Sequence, residues 1–253
     1  MSVKLSDLLA YMNQRLTPEL FKDYCPNGLQ VEGKENVTSI ITGVTASQAL
    51  LDEAVSAGAD VVLVHHGYFW RGEDSCITRT KKRRIKTLLD HDISLIAYHL
   101  PLDAHPEIGN NVQLARLLNL DITGGLEPDN PRSIGLTGRL KQPLSAQDFS
   151  EQVAHALDRK PLLIQGGEHL IETVGLCTGG AQSYINKAID LGLDAYLSGE
   201  VSEPTFHDAR ENEIHYLAAG HHATERYGIR ALGEELAQQF NLKHQFVDID
   251  NPV

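Results

Sequence analysis

The chain has 253 residues, 42% hydrophobic and 22% charged, with 34 acidic against 22 basic side chains and a formal charge of −12. That length gives core enough for one large domain or two lobes, and the acidity argues against broad electrostatic affinity for nucleic acid. No apolar run is long enough for a membrane span, and three scattered cysteines (Cys25, Cys76, Cys177) form no disulfide framework or thiolate zinc motif, as expected of a reduced, cytoplasmic protein.

In chain order, the opening stretch MSVKLSDLLAYMNQRL carries charges through its apolar positions and reads as a helix rather than a secretion signal. Ser39–Thr45 reads as a strand, 48–57 as an amphipathic helix, and Val61 to Val64 as a strand of four aliphatic residues buried on both faces. That strand runs directly into His65 and His66. The run TKKRRIK (Thr80 to Lys86) has five basic residues in seven and leads a helix over 82–90. A solvated helix face is its plain reading, and a phosphate or nucleic-acid contact through Lys81 to Lys86 the sharper one. Residues 95–98 form a strand and 110–118 a helix. GGLEPDNP (Gly124 to Pro131) is the best linker, dividing lobes 1–126 and 127–253, with the final helix and strand packing back on the first. Beyond it, Ser145 with Asp148 three residues later opens a capped helix. This alternation predicts an α/β fold with largely parallel sheets flanked by helices.

The second half echoes the first. AVSAGADVVLVHH (Ala54 to His66) lies over AIDLGLDAYLSGE (Ala188 to Glu200) without a gap, and LIAYHLPLD (Leu95 to Asp103) over LAAGHHATE (Leu217 to Glu225). The latter register puts His99 over His221 and Asp103 over Glu225. Such a repeat predicts two similar lobes related by a pseudo-twofold axis, with strand ends converging on one metal cleft.

Ligands of open α/β sheets collect at the carboxyl ends of strands. His65-His66, His99 with Asp103, Ser198-Gly199-Glu200, and His221 with Glu225 all stand at such ends. Imidazole and carboxylate are the donors of zinc, iron, manganese and nickel sites. His221 and Glu225, four apart in a helical pattern, share a face. Adjacent strand residues point to opposite sides, so His65 and His66 are expected to serve two ions, one each. Asp103 and Glu225 complete the set, one of them bridging. Coordination positions left for water mark a catalytic site, and ions about 3.5–4 Å apart activate water as a nucleophile.

Pro101 disfavours a helix through HLPLD. If the segment is extended, His99 and Asp103 lie about 13 Å apart at roughly 3.3 Å per residue. Asp103 is then the ligand, and His99 stands beside the site as general acid/base. Glu200, at the repeat position of His66, is a weaker candidate. His91, His207, His215 and His222 read as ordinary hydrogen-bonded histidines. No GxxxxGK[ST] loop and no GxGxxG after a strand occurs. The glycine turn in CTGGAQSYINKA (Cys177 to Ala188) reads as a tight strand-to-helix connection, and Cys177 is not read as a nucleophile.

The segments NGLQVEG (Asn27 to Gly33), VVLVHHGYFW (Val61 to Trp70), AYHLPLDAH (Ala97 to His105), YLSGEVSEPTFHDA (Tyr196 to Ala209) and AAGHHATERYG (Ala218 to Gly228) resemble the successive motifs of one family. This is the GTP cyclohydrolase 1 type 2, or Ngg-interacting-factor-three-like, family in its short bacterial YbgI type. The resemblance spans essentially the whole chain. It implies a two-metal site at His65, His66, Asp103, His221 and Glu225, a two-lobed fold, and a toroidal homohexamer with the sites facing inward. The extra domain of longer members is absent, since Gly125 to Ile171 is too short for it.

Three functions fit this reading. The leading one is a hydrolase using two divalent ions on a small nucleotide, phosphorylated or cyclic substrate. The alternatives are metal storage or delivery without turnover, and a ring-shaped interaction or nucleic-acid scaffold using the basic run.

Overall fold

The computed structural model describes residues 2–253; Met1, the first residue of the expected N-terminal helix, lies outside the described residues. The chain forms two compact units, residues 1–102 with 228–250, and 103–227 with 251–253. This division falls at Asp103, whereas Gly124 and Gly125 close a strand, Asp121–Gly125, inside the second unit.

The first unit is built on a five-stranded sheet in the order Lys243–Phe246, Ser39–Thr45, Val61–His66, Ser94–Ala97, Gly28–Val31. Its first four strands are parallel and the last is antiparallel. Period-two alternation sends Ile41, Val62, Val64, Leu95 and Ala97 into a core with Leu50, Leu51 and Ala54 of the Gln48–Ser56 helix and Ile85 and Leu88 of the Arg79–Asp90 helix. Ile40, Leu63 and Ile96 alternate with them and are also buried, as befits strands covered on both faces. The basic run lies on the Arg79–Asp90 helix with Lys82, Arg83 and Lys86 exposed; Lys81 pairs with Glu73 at 3.3 Å.

The second unit has six strands, ordered Asp121–Gly125, Leu136–Leu144, Ile171–Cys177, Ala195–Ser198, His215–Ala218, Leu162–Ile164. The contiguous Ile171–Cys177, Ala195–Ser198 and His215–Ala218 strands are parallel. Val174, Leu176, Leu197 and Leu217 pack with Phe149, Val153 and Leu157 of the Ala146–Leu157 helix, and Cys177, Tyr196 and Tyr216 enter a separate core with Ile185, Ala188 and Ala209. Ser145 caps the Ala146–Leu157 helix by accepting the Asp148 N–H, and its hydroxyl donates to the Asp148 carboxylate at 2.7 Å. Among the described residues, no helix is long and apolar enough to cross a membrane.

The internal repeat is written into the hydrogen bonds. In the first unit one carboxylate oxygen of Asp60 accepts the Thr38 and Ser39 N–H groups and the Thr38 hydroxyl. In the second, one oxygen of Asp194 accepts the Glu172 and Thr173 N–H groups and the Thr173 hydroxyl. Each aspartate follows a glycine at φ 63°, Gly58 or Gly192, which ends the preceding helix in the left-handed conformation that glycine adopts without strain.

Strand pairing also corrects the second half of the alignment. Val64 pairs with Ala97 in one unit, and Ser198, its counterpart, pairs with Ala218 in the other. Ala97 therefore matches Ala218, and His99 matches Gly220 rather than His221. The expected overlay of the two His-x-x-x-acid patterns is displaced by one residue, because ladder hydrogen bonds set the register and similar side chains do not.

Candidate metal centre

In the first unit the Val61–His66 strand carries its apolar run into a fully buried His65 and a partly buried His66. His65 Nδ1 lies 3.0 Å from the Tyr98 carbonyl oxygen, which can only accept, so Nδ1 is the donor of that contact. His66 Nδ1 lies 3.2 Å from the Thr45 hydroxyl. The two ring centroids are only 4.6 Å apart. The two rings therefore stand closer together than strict strand alternation predicts, at the last two residues of the strand. His99 joins them, its centroid 5.0 Å from His65 and 5.7 Å from His66. One ring nitrogen from each of His65, His66 and His99 lies within 4.8 Å of the other two.

Asp23, which sequence reasoning missed, holds His99. Its Oδ1 is 2.7 Å from His99 Nδ1 and accepts the Tyr24 N–H, while Oδ2 accepts from Asn27 and from the Leu100 N–H. Asn27 Oδ1 accepts the His99 N–H at 2.7 Å. Burial alone would raise the Asp23 pKa, but the hydrogen bond from His99, its positive field and the other donors hold it down at about 2. The Trp70 ring meets His99 edge to face at 5.0 Å. Cys25 lies close by, and Asp23, Cys25 and His99 also offer donor atoms within 4.8 Å of one another. Burial, reinforced by Asp23, pushes the Cys25 thiol up to about 12, so it stays protonated at neutral pH.

His99 leads into a single helical turn, Leu100–Asp103, where the Leu102 N–H reaches the His99 carbonyl at 2.9 Å. The expected extended segment is thus overturned. Pro101 sits in the first turn of a helix, where its missing N–H has no partner to lose.

The second unit contains Asp103, His221 and Glu225. Asp103 Oδ1 accepts from Asn110 at 2.8 Å and lies 3.5 Å from the Thr178 hydroxyl, while Asn111 bridges the Asp103 carbonyl and the Thr178 N–H. His221 opens the His221–Phe240 helix, and its Nε2 lies 3.2 Å from Oε2 of the buried Glu225 one turn on. Its Nδ1 faces Glu200 Oε1 at 2.6 Å. Burial opposes a charge on this ring, yet Glu225 and then Glu200 outweigh it and raise the His221 pKa to about 9. Cys177, fully buried, has its thiol pushed well up by burial and by the Asp103 and Glu225 carboxylates, which excludes a thiolate nucleophile.

The residues fit a metal. Their donors are imidazole nitrogens and carboxylate oxygens, the set that divalent transition metals take. At zinc bond lengths of about 2.0–2.1 Å, adjacent donors of a tetrahedron stand about 3.3 Å apart, close to the His221–Glu225 separation. Gly179, at φ 68°, provides the room: a Cβ there would lie 2.1 Å from Glu225 Oε1 and 3.1 Å from His221 Nε2. Two histidines away from these groups have ordinary structural partners. His207 pairs with Glu203 on the exposed face of its helix, and His215 hydrogen-bonds the His169 carbonyl.

Comparison with known proteins agrees with the resemblance. Residues 3–252 match the family model described as Duf34/NIF3 (NGG1p interacting factor 3). The chain is 59% identical over 252 residues to a Pseudomonas aeruginosa protein named GTP cyclohydrolase 1 type 2 homolog, each covered in full. It is similar to the solved structure of a protein called ybgI, of unknown function (51% identity, TM-score 0.95, covering 99% of this chain and 100% of that one). It is also similar to the solved structure of a Thermus thermophilus protein, TTHA1606 (34% identity, TM-score 0.89, with the same coverage).

Proposed function

The chain belongs to the Duf34/NIF3 family, and from that premise we propose that it is a metal-dependent hydrolase of a small substrate, working with two divalent ions held by His65, His66, Asp103, His221 and Glu225. One observation carries the reading: a wholly buried imidazole, His65, has its Nδ1 committed to a backbone carbonyl and stands beside further imidazoles at a strand end. A carbonyl-fixed ring of this kind is the usual arrangement of a metal-ligating histidine. When bound, such ions supply Lewis acidity that activates water and offsets negative charge developing on the substrate.

The chain's own groups do the rest. Asp23 holds His99 with Nδ1 as donor, which leaves Nε2 to take up or release a proton as general acid/base. Asn110 and Thr178 fix the Asp103 carboxylate. A nucleotide or another phosphorylated or cyclic compound as substrate agrees with the name its relatives bear. Assembly as a homohexameric ring in the cytoplasm follows from the family resemblance and is read by sedimentation.

The test is metal analysis of purified protein. Wild type is expected to carry about two transition-metal ions per chain, and His65→Ala and Glu225→Ala to lose most of them while remaining folded. Wild-type content in both variants would overturn the assignment.

A further inference from the structure

We propose that Glu200 is the positioning residue of His221, fixing the imidazole so that Nε2 is presented as a metal donor. The inference rests on the metal-centre reading above. Glu200 Oε1 stands 2.6 Å from His221 Nδ1. An ionised carboxylate only accepts, so the proton of that contact belongs to Nδ1, and the contact turns Nε2 toward Glu225, whose Oε2 lies 3.2 Å away, on the side of the proposed centre.

Glu200 is itself held. Its carbonyl accepts the Tyr216 hydroxyl, its N–H donates to the Gly179 carbonyl at 3.2 Å, and its second carboxylate oxygen lies 3.5 Å from the Gln182 amide nitrogen. Gly199 makes the approach possible: a Cβ there would lie 2.6 Å from the Gly179 carbonyl oxygen and 2.7 Å from the His221 Cα. The strand end therefore crosses the start of the His221–Phe240 helix at backbone distance and delivers the next side chain onto the ring.

The repeat gives the position meaning. In the ungapped overlay Gly199-Glu200 occupies the place of His65-His66. In the first unit this strand end delivers two imidazoles. In the second it delivers no side chain and then the carboxylate that orients an imidazole arriving from the next strand.

Competition titration of Zn²⁺ against a chromophoric chelator tests this on the full chain, comparing wild type with Glu200→Ala, Glu200→Gln and His221→Ala. Loss of an orienting partner costs about 10–100-fold in metal affinity. Glu200→Ala is expected to weaken one ion by that factor while the stoichiometry at saturating Zn²⁺ is unchanged. Glu200→Gln, whose amide oxygen still accepts from Nδ1, should recover part of the loss, which a merely structural role would not predict. Wild-type affinity in Glu200→Ala alongside loss in His221→Ala would overturn the positioning role and leave the metal centre standing. A stoichiometry lowered by one ion in Glu200→Ala would overturn it by making Glu200 a ligand. Unchanged affinity in His221→Ala would overturn the ligand assignment, and the positioning role with it.

Discussion

The two units share a scaffold and differ at the strand ends. Asp60 and Asp194 close equivalent turns with equivalent N–H partners, yet where one unit places His65 and His66 the other places Gly199 and Glu200. The shared device depends on backbone groups that every sequence supplies, so it survives while side chains around it change. At a strand end no ladder hydrogen bond constrains the side chain, and chemistry can diverge there without loss of the sheet.

If the aspartates are one device, they should fail alike. Each accepts three hydrogen bonds on one oxygen, and hydrogen bonds to a charged group contribute about 1.5–3 kcal/mol each. Asp60→Ala and Asp194→Ala should each destabilise the metal-free chain by about 3 kcal/mol in denaturant unfolding, with effects that add; a tenfold disparity in the unfolding constants would break the equivalence. Burial works against both carboxylates, but the threonine hydroxyls and N–H groups outweigh it and hold each pKa below the ordinary value. Their stabilisation is therefore complete above the unfolded-state pKa of about 3.9 and fades as pH falls through the lower native-state value. The gap between wild type and the two Ala variants should be flat from about pH 5 to 7 and shrink below about pH 4.

Gly199→Ala sharpens the contrast at the strand ends. The added methyl would meet the Gly179 carbonyl and the His221 backbone, so a loss of about 2 kcal/mol is expected by calorimetry, within the range for overpacking. An unchanged melting temperature would mean that the backbones separate easily there.

The smallest effect concerns His99. Its register partner is Gly220, so the repeat supplies no ligand role for it, and Asp23 already occupies its Nδ1. His99→Ala should keep metal content within about tenfold in affinity while any turnover falls about a hundredfold or more. A metal-free variant would make His99 a ligand.

The strands were legible because Val61 to Val64 and its counterparts are apolar runs with turn signals behind them, and the Ser145–Asp148 cap because both partners lie within one turn. The ligand candidates were legible because strand ends collect them. What escaped notice was long-range or irregular. Asp23 lies 76 residues from His99, and nothing local marks it as different from any loop aspartate. Asn110 and Asn111 are buried but look like helix-start residues in sequence. The repeat is offset by one residue from a histidine-on-histidine overlay, because the sheet matches Ala97 to Ala218. The helical turn at Leu100–Asp103 was hidden by Pro101, which breaks a helix interior but suits its first turn.

The central claim is the proposal that His65, His66, Asp103, His221 and Glu225 are the residues that bind two metal ions. Anomalous diffraction from crystals of the metal-loaded protein tests it most directly. Two peaks about 3.5–4 Å apart, ligated by His65, His66, Asp103, His221 and Glu225, are the expected result. A single peak, or peaks ligated by other residues, would contradict it.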